Sequence, residues 1–327
     1  MTQSEFAEIF RQFIRRHDRV ILSGHVRPDG DSIGSCVALA QVLSGLGLHP
    51  MIYYEGDISR YGWVQQLFPI LDSESLCKAT CARFAWILLD CAEPHRTGEA
   101  AVCADLAEET LCIDHHVNNG EYATYNWICP EATSTCEILY DLFCELELPI
   151  TEIAATALFT GLAFDTGGFR HSSMTGKAFY MAGRLADAGA DITGIMNGLF
   201  HTKRFLEMKA LSVILRKAKL YKNRIILSAM EGKDFLTVGA SPDDSEGAVA
   251  QLAEIAEAEV AVFLRELQPE LVRVNMRSKS YVDVAKVARA FGGGGHIRAA
   301  GCTVAEPMLL VQQRILDELM KQMPEEE

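Results

Sequence analysis

Aspartate and histidine side chains gather in four short segments of the sequence, and together they could bind divalent cations. Carboxylates and imidazoles without thiolates suit Mn²⁺, Mg²⁺ or Fe²⁺ better than they suit a structural zinc ion. One carboxylate can also bridge two cations about 3.5–4 Å apart, as in hydrolases that use two metal ions. Two cations would offset the repulsion among carboxylates packed together. The segments are His25-Val-Arg-Pro-Asp29-Gly-Asp31, the single Asp90, Asp114-His115-His116 and Asp165-Thr-Gly-Gly.

Each segment follows an apolar run that would position it. Arg19 to Gly24, Phe84 to Leu89 and Thr110 to Ile113 are short β-branched and aliphatic runs, which predict strands. Ala154 to Phe164 has helical apolar spacing and directly precedes Asp165. Ligands of an open α/β sheet bind at the carboxyl ends of its strands, so the first three segments should meet at one edge. The sequence therefore predicts that five aspartates and three histidines converge on one crevice.

Strand and helix signals alternate through the first part of the chain. A further strand is predicted at His49 to Tyr54, and helices are predicted at Ser32 to Leu46, Ser134 to Leu146 and Glu152 to Phe164. Such alternation is typical of a doubly wound, mostly parallel α/β sheet. We predict that this fold occupies residues 1–190.

The remaining chain predicts a helical connector followed by a smaller α/β domain. Residues 183–222 carry no strand signal, so we place the connector at residues 191–220 and the second domain at residues 221–327. The predicted elements of the second domain are strands at Arg224 to Met230, Val260 to Leu264 and Leu271 to Met276, and helices at Ser245 to Ala256, with Ser245 as its N-cap, and at Asp283 to Phe291.

Four consecutive glycines follow the last of these helices and are candidates for binding an anion. Glycine lets backbone N–H groups approach a phosphate without obstruction by a side chain. Gly293, Gly294 and Gly295, with His296 directly after them, are therefore candidate substrate contacts. Arg277, at a predicted strand end, offers a guanidinium fork for a phosphate. The alternative of a flexible linker agrees less well with the apolar helix before the glycines and the Ala-Ala-Gly after them.

The composition argues against several other classes of protein. The formal net charge of −14 disfavours tight binding of long duplex nucleic acid, which needs a broad basic face. Apolar runs such as Ala85 to Leu89 are far too short to span a bilayer, so we expect no membrane partner. The first residues have the spacing of an amphipathic helix and not of a signal peptide, and the ten cysteines are unevenly scattered. Both observations predict a reduced, cytoplasmic protein.

The ordered motifs resemble those of the DHH phosphoesterase superfamily. Its four motifs correspond to the segment that begins at His25, the single Asp90, the triplet at 114–116 and the segment around Asp165. The segment from Phe291 to Gly301 resembles the GGGH-x-x-AAG signature of the DHH-associated C-terminal domain. The resemblance covers nearly the whole chain. Within the superfamily the chain is similar to bacterial nanoRNase/pAp phosphatases, which act on short oligoribonucleotides and on 3′-phosphoadenosine 5′-phosphate.

The resemblance implies a role for each motif residue. Asp90 would bridge two cations. Asp114 would orient a ligand histidine or a nearby backbone group. His116 would contact the phosphate or donate a proton to the leaving group, so these three residues are the candidate catalytic set. The other implied metal ligands are His25 and Asp29, beside Asp90, for one cation, and Asp31, His115 and Asp165, beside Asp90, for the second.

The implied activity is hydrolysis of short single-stranded RNA or of a small nucleotide by a hydroxide that bridges two cations, in a cleft between the two domains. Mn²⁺ is the expected metal, and Mg²⁺ and Fe²⁺ are alternatives. Rival activities on the same motifs are a phosphodiesterase for cyclic or linear dinucleotides and an exopolyphosphatase or pyrophosphatase. An inactive nucleotide-binding regulator and an exonuclease for longer single strands are further rivals. The oligomeric state stays open, with a homodimer as one candidate.

Overall fold

A computed structural model of the protein describes residues 1–55, 58, 61, 68–170 and 174–324. The chain forms two compact units, Met1–Thr202 and Lys203–Glu327. Each unit contains its own sheet flanked by helices. The predicted fold class, a doubly wound and mostly parallel α/β sheet followed by a smaller α/β domain, is confirmed.

The first unit is built from alternating strands and helices. In chain order they are α1 (Gln3–Arg16), β1 (Arg19–Ser23), α2 (Gly30–Gly45), β2 (His49–Tyr53), β3 (Ile70–Leu71), α3 (Ser73–Ala79), β4 (Ala85–Leu89), a 3₁₀ segment (Pro94–Val102), α4 (Cys103–Leu106), β5 (Thr110–Asp114), β6 (Tyr125–Ile128), α5 (Thr135–Glu145), α6 (Glu152–Asp165), α7 (Gly176–Asp187) and α8 (Ile192–Phe200).

The first sheet has the strand order β3-β2-β1-β4-β5-β6, and all its neighbouring strands are parallel. The chain adds β2 and β3 on one side of β1, and it adds β4, β5 and β6 on the other side. The strand order therefore reverses between the neighbours β1 and β4, because the connections that follow these two strands lead in opposite directions. In doubly wound sheets that point opens a crevice at the carboxyl ends of the strands. Strand β4 is buried along its whole length, which explains its continuous apolar sequence.

Two buried helices carry predicted ligands into this crevice. Asp31 lies in the first turn of α2, and Asp165 is the last residue of α6. Both helices are apolar on nearly every side because they lie inside the main hydrophobic core. Their backbones approach closely at Gly34, where an added Cβ would lie only 2.4 Å from the carbonyl oxygen of Ala157.

The second unit begins with a long helix and continues into a mixed sheet. Its elements are α9 (Phe205–Lys217), β7 (Lys219–Tyr221), β8 (Ile225–Met230), α10 (Gly232–Val238), a 3₁₀ turn (Pro242–Ser245), α11 (Ala248–Ala253), β9 (Val260–Gln268), β10 (Leu271–Ser278), α12 (Val284–Ala290), β11 (Gly294–His296), β12 (Ala299–Val304) and α13 (Met308–Met320). The strand order is β11-β12-β10-β9-β8-β7, and only β8 and β9 are parallel neighbours.

The structure corrects two predictions in the second unit. The segment predicted to lack strands contains β7, which forms a hairpin with β8 through a turn where Lys222 and Asn223 both have φ of 47°. The helix predicted from Ser245 is instead a 3₁₀ turn followed by the shorter α11. Ser245 does not cap a helix, because its hydroxyl donates to the carbonyl oxygen of Pro242 at 2.6 Å.

No helix in the described part of the chain is both long enough and apolar enough to cross a membrane. The predicted connector at residues 191–220 stays a prediction. That range contains α8, α9 and the first residues of β7.

The close approach of α2 and α6 leads to a test of stability. Gly34→Ala should lower the free energy of unfolding by about 1–3 kcal/mol, because its methyl group would press on the backbone of α6. Gly45→Ala is the matched control in the same helix, because nothing lies within 4 Å of its added Cβ. All the tryptophans precede Thr202, so tryptophan fluorescence during urea unfolding reports on this unit. Equal destabilisation by both variants would contradict the packing argument.

Candidate metal centre

Asp90 lies where strand β4 ends, and its backbone is held in an unusual conformation. Its φ is 54°, in the left-handed region that residues other than glycine seldom adopt. Its side chain is almost fully buried, at 2% exposure. Strain of this kind persists only where the surroundings fix it, and it clusters at functional sites. The conformation turns the carboxylate of Asp90 into the crevice beside the ends of β1 and β5.

The two oxygens of Asp90 face different ligand groups. Its Oδ2 lies 3.6 Å from Nε2 of His25, which is also 3.5 Å from Oδ2 of Asp29. Its Oδ1 lies 3.5 Å from Nε2 of His115, which is also 3.3 Å from Oδ2 of Asp165. A carboxylate in this position can be shared by two cations, one on each side.

The potential ligand atoms form overlapping groups. One potential ligand atom each from His25, Asp29 and Asp90 lie within 4.8 Å of one another. Two further groups of three side chains meet the same distance limit. The second group is Asp31, His115 and Asp165, and the third is Asp90, His115 and His116. All six side chains predicted to hold metal thus meet in the first unit.

Backbone amides at the start of helix α5 hold Asp31 in place. Its Oδ2 accepts from the N–H of Thr135 at 2.6 Å, and its Oδ1 accepts from the N–H of Cys136 at 3.0 Å. The side chain of Ser134 caps this helix, so its first amides are aligned toward the crevice. The positive end of a helix stabilises a carboxylate at this position. Thr135 also donates its hydroxyl to Oδ1 of Asp90 at 3.3 Å.

Asp114 is fully buried and accepts hydrogen bonds on both oxygens. Its Oδ1 accepts from the backbone N–H of His115 at 2.8 Å and from Nδ1 of His116 at 2.7 Å. Its Oδ2 accepts from Nδ2 of Asn119 at 2.7 Å. The same amide group of Asn119 contacts the carbonyl oxygen of Cys91, at 3.2 Å. Asp114 therefore fixes the imidazole of His116 and the backbone of His115, and Asn119 fixes Asp114 relative to the end of β4.

The histidines of the centre are strongly basic because carboxylates surround them. Burial alone lowers the pKa of His25, but Asp29 and Asp90 outweigh that effect and raise it to about 10. Burial likewise opposes the rise at His115, where Asp90, Asp31 and Asp165 raise the pKa to about 10. The hydrogen bond that His116 donates to Asp114 raises the pKa of His116.

The carboxylates respond to burial and to one another. Burial, followed by repulsion from Asp90, raises the pKa of Asp31 above its usual range. Burial and the charges of Asp31 and Asp90 raise the pKa of Asp165. Burial also acts to raise the pKa of Asp90, but His115 and His25 reverse the effect and lower it. This mixture of oxygen and imidazole ligands fits divalent cations, because their charge would relieve the repulsion that raises these pKa values.

A cavity of about 420 Å³ opens over the ligand groups. Besides Asp29, Asp90, Asp165 and the two histidines, its lining contains three residues that come just before helix α5. Glu137 secures this loop, because its carboxylate accepts from the backbone N–H of Thr133 at 3.0 Å and from the Thr133 hydroxyl. The loop residues are Pro130, Ala132 and Thr133.

Besides His116, the predicted substrate contacts lie in the second unit, on β10 and β11 and in the turn before β11. Arg277 is half-buried on β10 and donates to the carbonyl oxygen of Met276 at 3.1 Å. His296 ends β11 and is exposed. Packing also requires glycine at position 293, because a Cβ there would lie 2.3 Å from the carbonyl oxygen of Gly301. The other two predicted glycine contacts are Gly294, which has open space at its Cβ position, and Gly295, which has a φ of 138°.

Two features of the centre were missed by sequence reasoning. One is Asn119, and the other is the pair of amides at the start of α5. The signal for Asn119 was its position five residues after Asp114, in the loop that follows the Asp-His-His triplet. The signal for the amides was Ser134 three residues before Glu137, a pattern that marks the start of a helix.

Comparison with known protein families identifies the class of hydrolase to which this fold and this site belong. Residues 19–162 match the DHH family, N-terminal domain, and residues 224–324 match the DHHA1 domain. The chain therefore belongs to the DHH family and is a hydrolytic phosphoesterase. The resemblance that the sequence motifs indicated is confirmed.

Several relatives span most of the chain. The bifunctional oligoribonuclease and PAP phosphatase NrnA of Mycoplasma pneumoniae is 25% identical over 316 residues, covering 94% of each chain. The protein of the same name from Thermus thermophilus is 27% identical over 290 residues, covering 87% of this chain and 84% of its own. The crystal structure of an exopolyphosphatase-related protein from Bacteroides fragilis has a TM-score of 0.86 at 24% identity, covering 96% and 95% of the two chains. That structural likeness supports the fold alone.

The basic histidines lead to a prediction about protons. In the metal-free protein His25 and His115 carry protons below about pH 10, whereas coordination needs their neutral forms. Binding of Mn²⁺ at pH 7.5 should therefore release protons, and the affinity should rise as the pH increases toward 10. Isothermal titration calorimetry in two buffers of different ionisation enthalpy measures the release. Metal binding without proton release would contradict the assignment of these histidines as ligands.

The contacts of Asn119 lead to a test of positioning. Asn119→Ala should slow hydrolysis of bis(p-nitrophenyl) phosphate about 10–100-fold, because loss of an outer partner loosens Asp114 and the histidines it orients. Asn118→Ala is the matched control, since this neighbouring side chain is exposed. A wild-type rate in Asn119→Ala would show that Asp114 needs no support from this amide.

Proposed function

We propose that this protein is a Mn²⁺-dependent phosphoesterase that hydrolyses short oligoribonucleotides and 3′-phosphoadenosine 5′-phosphate. The names of the Mycoplasma and Thermus relatives support this substrate class, since both are oligoribonucleases and PAP phosphatases. The formal charge of −14 supports a short substrate, because long nucleic acid requires a broad basic face.

The observation that carries the proposal is the position of Asp90 between two ligand groups. His25 and Asp29 lie on the side of its Oδ2, and His115 and Asp165 lie on the side of its Oδ1. The residues proposed to hold one cation are His25, Asp29 and Asp90, and those proposed for the other are Asp31, Asp90, His115 and Asp165. When bound, two such cations supply an activated water and neutralise charge on the phosphate.

The protein's own groups would prepare the phosphate for attack. The amides at the start of α5 fix Asp31, so that its carboxylate keeps its place before any cation binds. The cavity lining next to the centre, including Pro130 and Ala132, confines the space in which a phosphate can lie. This pre-formed arrangement lowers the cost of reorganisation during the reaction.

His116 is proposed to act on the leaving group. Its Nδ1 donates to the buried carboxylate of Asp114 at 2.7 Å, which leaves Nε2 as the second nitrogen available to the substrate. Asp114 also raises the pKa of His116, which favours the imidazolium form with a proton on Nε2. His116 could then donate that proton to the departing ribose oxygen.

The second domain is proposed to bind the rest of the nucleotide. Arg277 has a guanidinium that forms no ion pair with any described carboxylate, so it is free to bind a phosphate. The backbone of Gly294 is open on its Cβ side and His296 is exposed, and both could contact the same ligand. The predicted location of the active site between the two domains stays a prediction.

Substitution of the shared carboxylate tests the metal assignment. Asp90→Ala should reduce hydrolysis of di- and trinucleotides in Mn²⁺ by more than about a hundredfold, because both cations lose a ligand. Asp105→Ala, which removes an exposed carboxylate from α4, is the control and should leave the rate unchanged. Turnover by Asp90→Ala at a near wild-type rate would refute the bridging role.

A panel of substrates separates the proposed function from its rivals. With Mn²⁺ the wild-type protein should hydrolyse RNA of two to about five nucleotides and 3′-phosphoadenosine 5′-phosphate faster than cyclic dinucleotides, pyrophosphate or polyphosphate. Turnover of polyphosphate alone would eliminate the nucleotide assignment. Binding of metal without turnover of any phosphoester would revive the inactive regulator.

A further inference from the structure

One face of the second sheet is only partly covered. Along β10 the side chains of Val274 and Met276 are buried in a hydrophobic core with α12 and α13, while Arg273, Asn275 and Arg277 belong to the opposite face. On that opposite face many residues of β8 and β9 are buried against α9, α10 and α11. The residues of β10, β11 and β12 there are half-buried or exposed, and we call them the open face. They are Arg273, Asn275, Arg277, Gly294, His296, Ala299, Gly301 and Thr303.

The open face has a floor with almost no side chains. Gly301 pairs with Asn275 on one side and with Gly294 on the other. Ala299 pairs in the same way between Arg277 and His296. Adjacent strands are about 4.8 Å apart, so the floor separates the β10 row from the β11 row by about 10 Å. This leaves a shallow channel with arginines along one side.

Arg273 occupies a position that stability alone would disfavour. It lies directly opposite Arg265 on β9, and like charges in that arrangement repel. Arg265 is offset by Glu246, whose Oε1 is 3.3 Å from its Nη2. Arg273 forms no ion pair with any carboxylate in the described residues, and the same holds for Arg277. A protein with a formal charge of −14 thus keeps two uncompensated guanidinium groups on one face.

The guanidinium of Arg273 is held over the floor of the channel. Its Nη1 donates to the hydroxyl of Thr303 at 3.2 Å. Its Nη2 would lie only 3.2 Å from a Cβ built on Gly301, so the absence of a side chain at Gly301 makes room for this orientation. The arginine is therefore already positioned toward the channel, which reduces the entropy lost when it binds a ligand.

The spacing of the two arginines matches a nucleotide chain. Arg273 and Arg277 are four residues apart on one strand, a distance of about 13 Å at 3.3 Å per residue. A nucleotide repeat has six backbone bonds where an amino-acid residue has three, so its extended length is about 7 Å, twice that of a residue. The backbone positions of the two arginines are thus about two nucleotides apart.

We propose that the open face is a track for a single-stranded oligoribonucleotide, in which Arg277 binds one phosphate and Arg273 binds a phosphate about two nucleotides further along the chain. The proposal rests on the proposed function and adds a residue that determines substrate length. Arg273 then contributes to binding of trinucleotides that carry a 5′-phosphate and of longer chains, because phosphates two nucleotides apart require three phosphates in the chain. A dinucleotide or 3′-phosphoadenosine 5′-phosphate is too short to contact it.

The test compares substrates of increasing length in the full-length protein with Mn²⁺. Arg273→Gln should raise KM about tenfold for 5′-phosphorylated RNA of three to five nucleotides, through loss of a charge-assisted contact, and leave kcat unchanged. The kinetics of the dinucleotide and of 3′-phosphoadenosine 5′-phosphate should stay at wild-type values. Arg289→Gln is the matched control, because it removes an exposed arginine from α12, on the opposite face of the sheet. An equal loss on every substrate, or no loss on any, would overturn the proposal.

A second variant and a binding measurement keep the track separate from the chemistry. Thr303→Val removes the hydroxyl that holds Arg273 and should give a smaller effect with the same dependence on length. Fluorescence anisotropy in EDTA measures binding without turnover, with a trinucleotide and a dinucleotide that each carry a 5′-phosphate and a label at the 3′ end. Weaker binding by Arg273→Gln of the trinucleotide alone supports the track, and equal weakening of both ligands refutes it. If the wild-type protein hydrolyses no nucleotide, the proposed function fails, while the anisotropy result still decides whether the track exists.

Discussion

The repulsion among buried carboxylates at the end of β4 is the constraint on which the rest of the structure depends. Asp31 and Asp90 are nearly inaccessible to water, and Asp165 lies beside them. Charges packed in this way are costly unless cations or strong donors compensate them. In the described residues the compensation is divided between protonated histidines and the amides that open helix α5. The protein is therefore organised around positive charge that divalent cations would supply more fully.

This constraint explains several features that otherwise look unrelated. The left-handed backbone of Asp90 brings its carboxylate between two ligand groups instead of along the strand. Helices α2 and α6 meet at Gly34 with no room for a side chain, so the ligands that they carry have fixed positions. Asp114 contributes none of the potential ligand atoms but holds the histidines through hydrogen bonds. Each feature limits the movement of a group whose charge must stay close to charges of the same sign.

The sequence predicted the structure of the first unit better than that of the second unit, for physical reasons. Apolar strands that end in Asp or His combine a burial signal with a chemical signal, and the structure places those residues together. Ser134 marks the start of helix α5 in the sequence, but residue types do not show that the first amides of this helix donate to Asp31, and Asn119 resembles an ordinary loop residue. In the second unit β7 has only three residues and is largely exposed, so its hairpin gave no strand signal. Arg273 was not singled out, because only the structure shows that Thr303 lies opposite it and that its guanidinium lies beside Gly301.

The central claim is that two cations share the carboxylate of Asp90. The most direct test is a crystal structure of the protein with Mn²⁺, with anomalous diffraction measured at the manganese absorption edge. The account predicts two anomalous peaks about 3.5–4 Å apart, each coordinated by a different oxygen of Asp90. The peak on the side of Oδ2 should also contact His25, and the other should also contact His115. A single peak, or two peaks of which only one touches Asp90, would contradict the account.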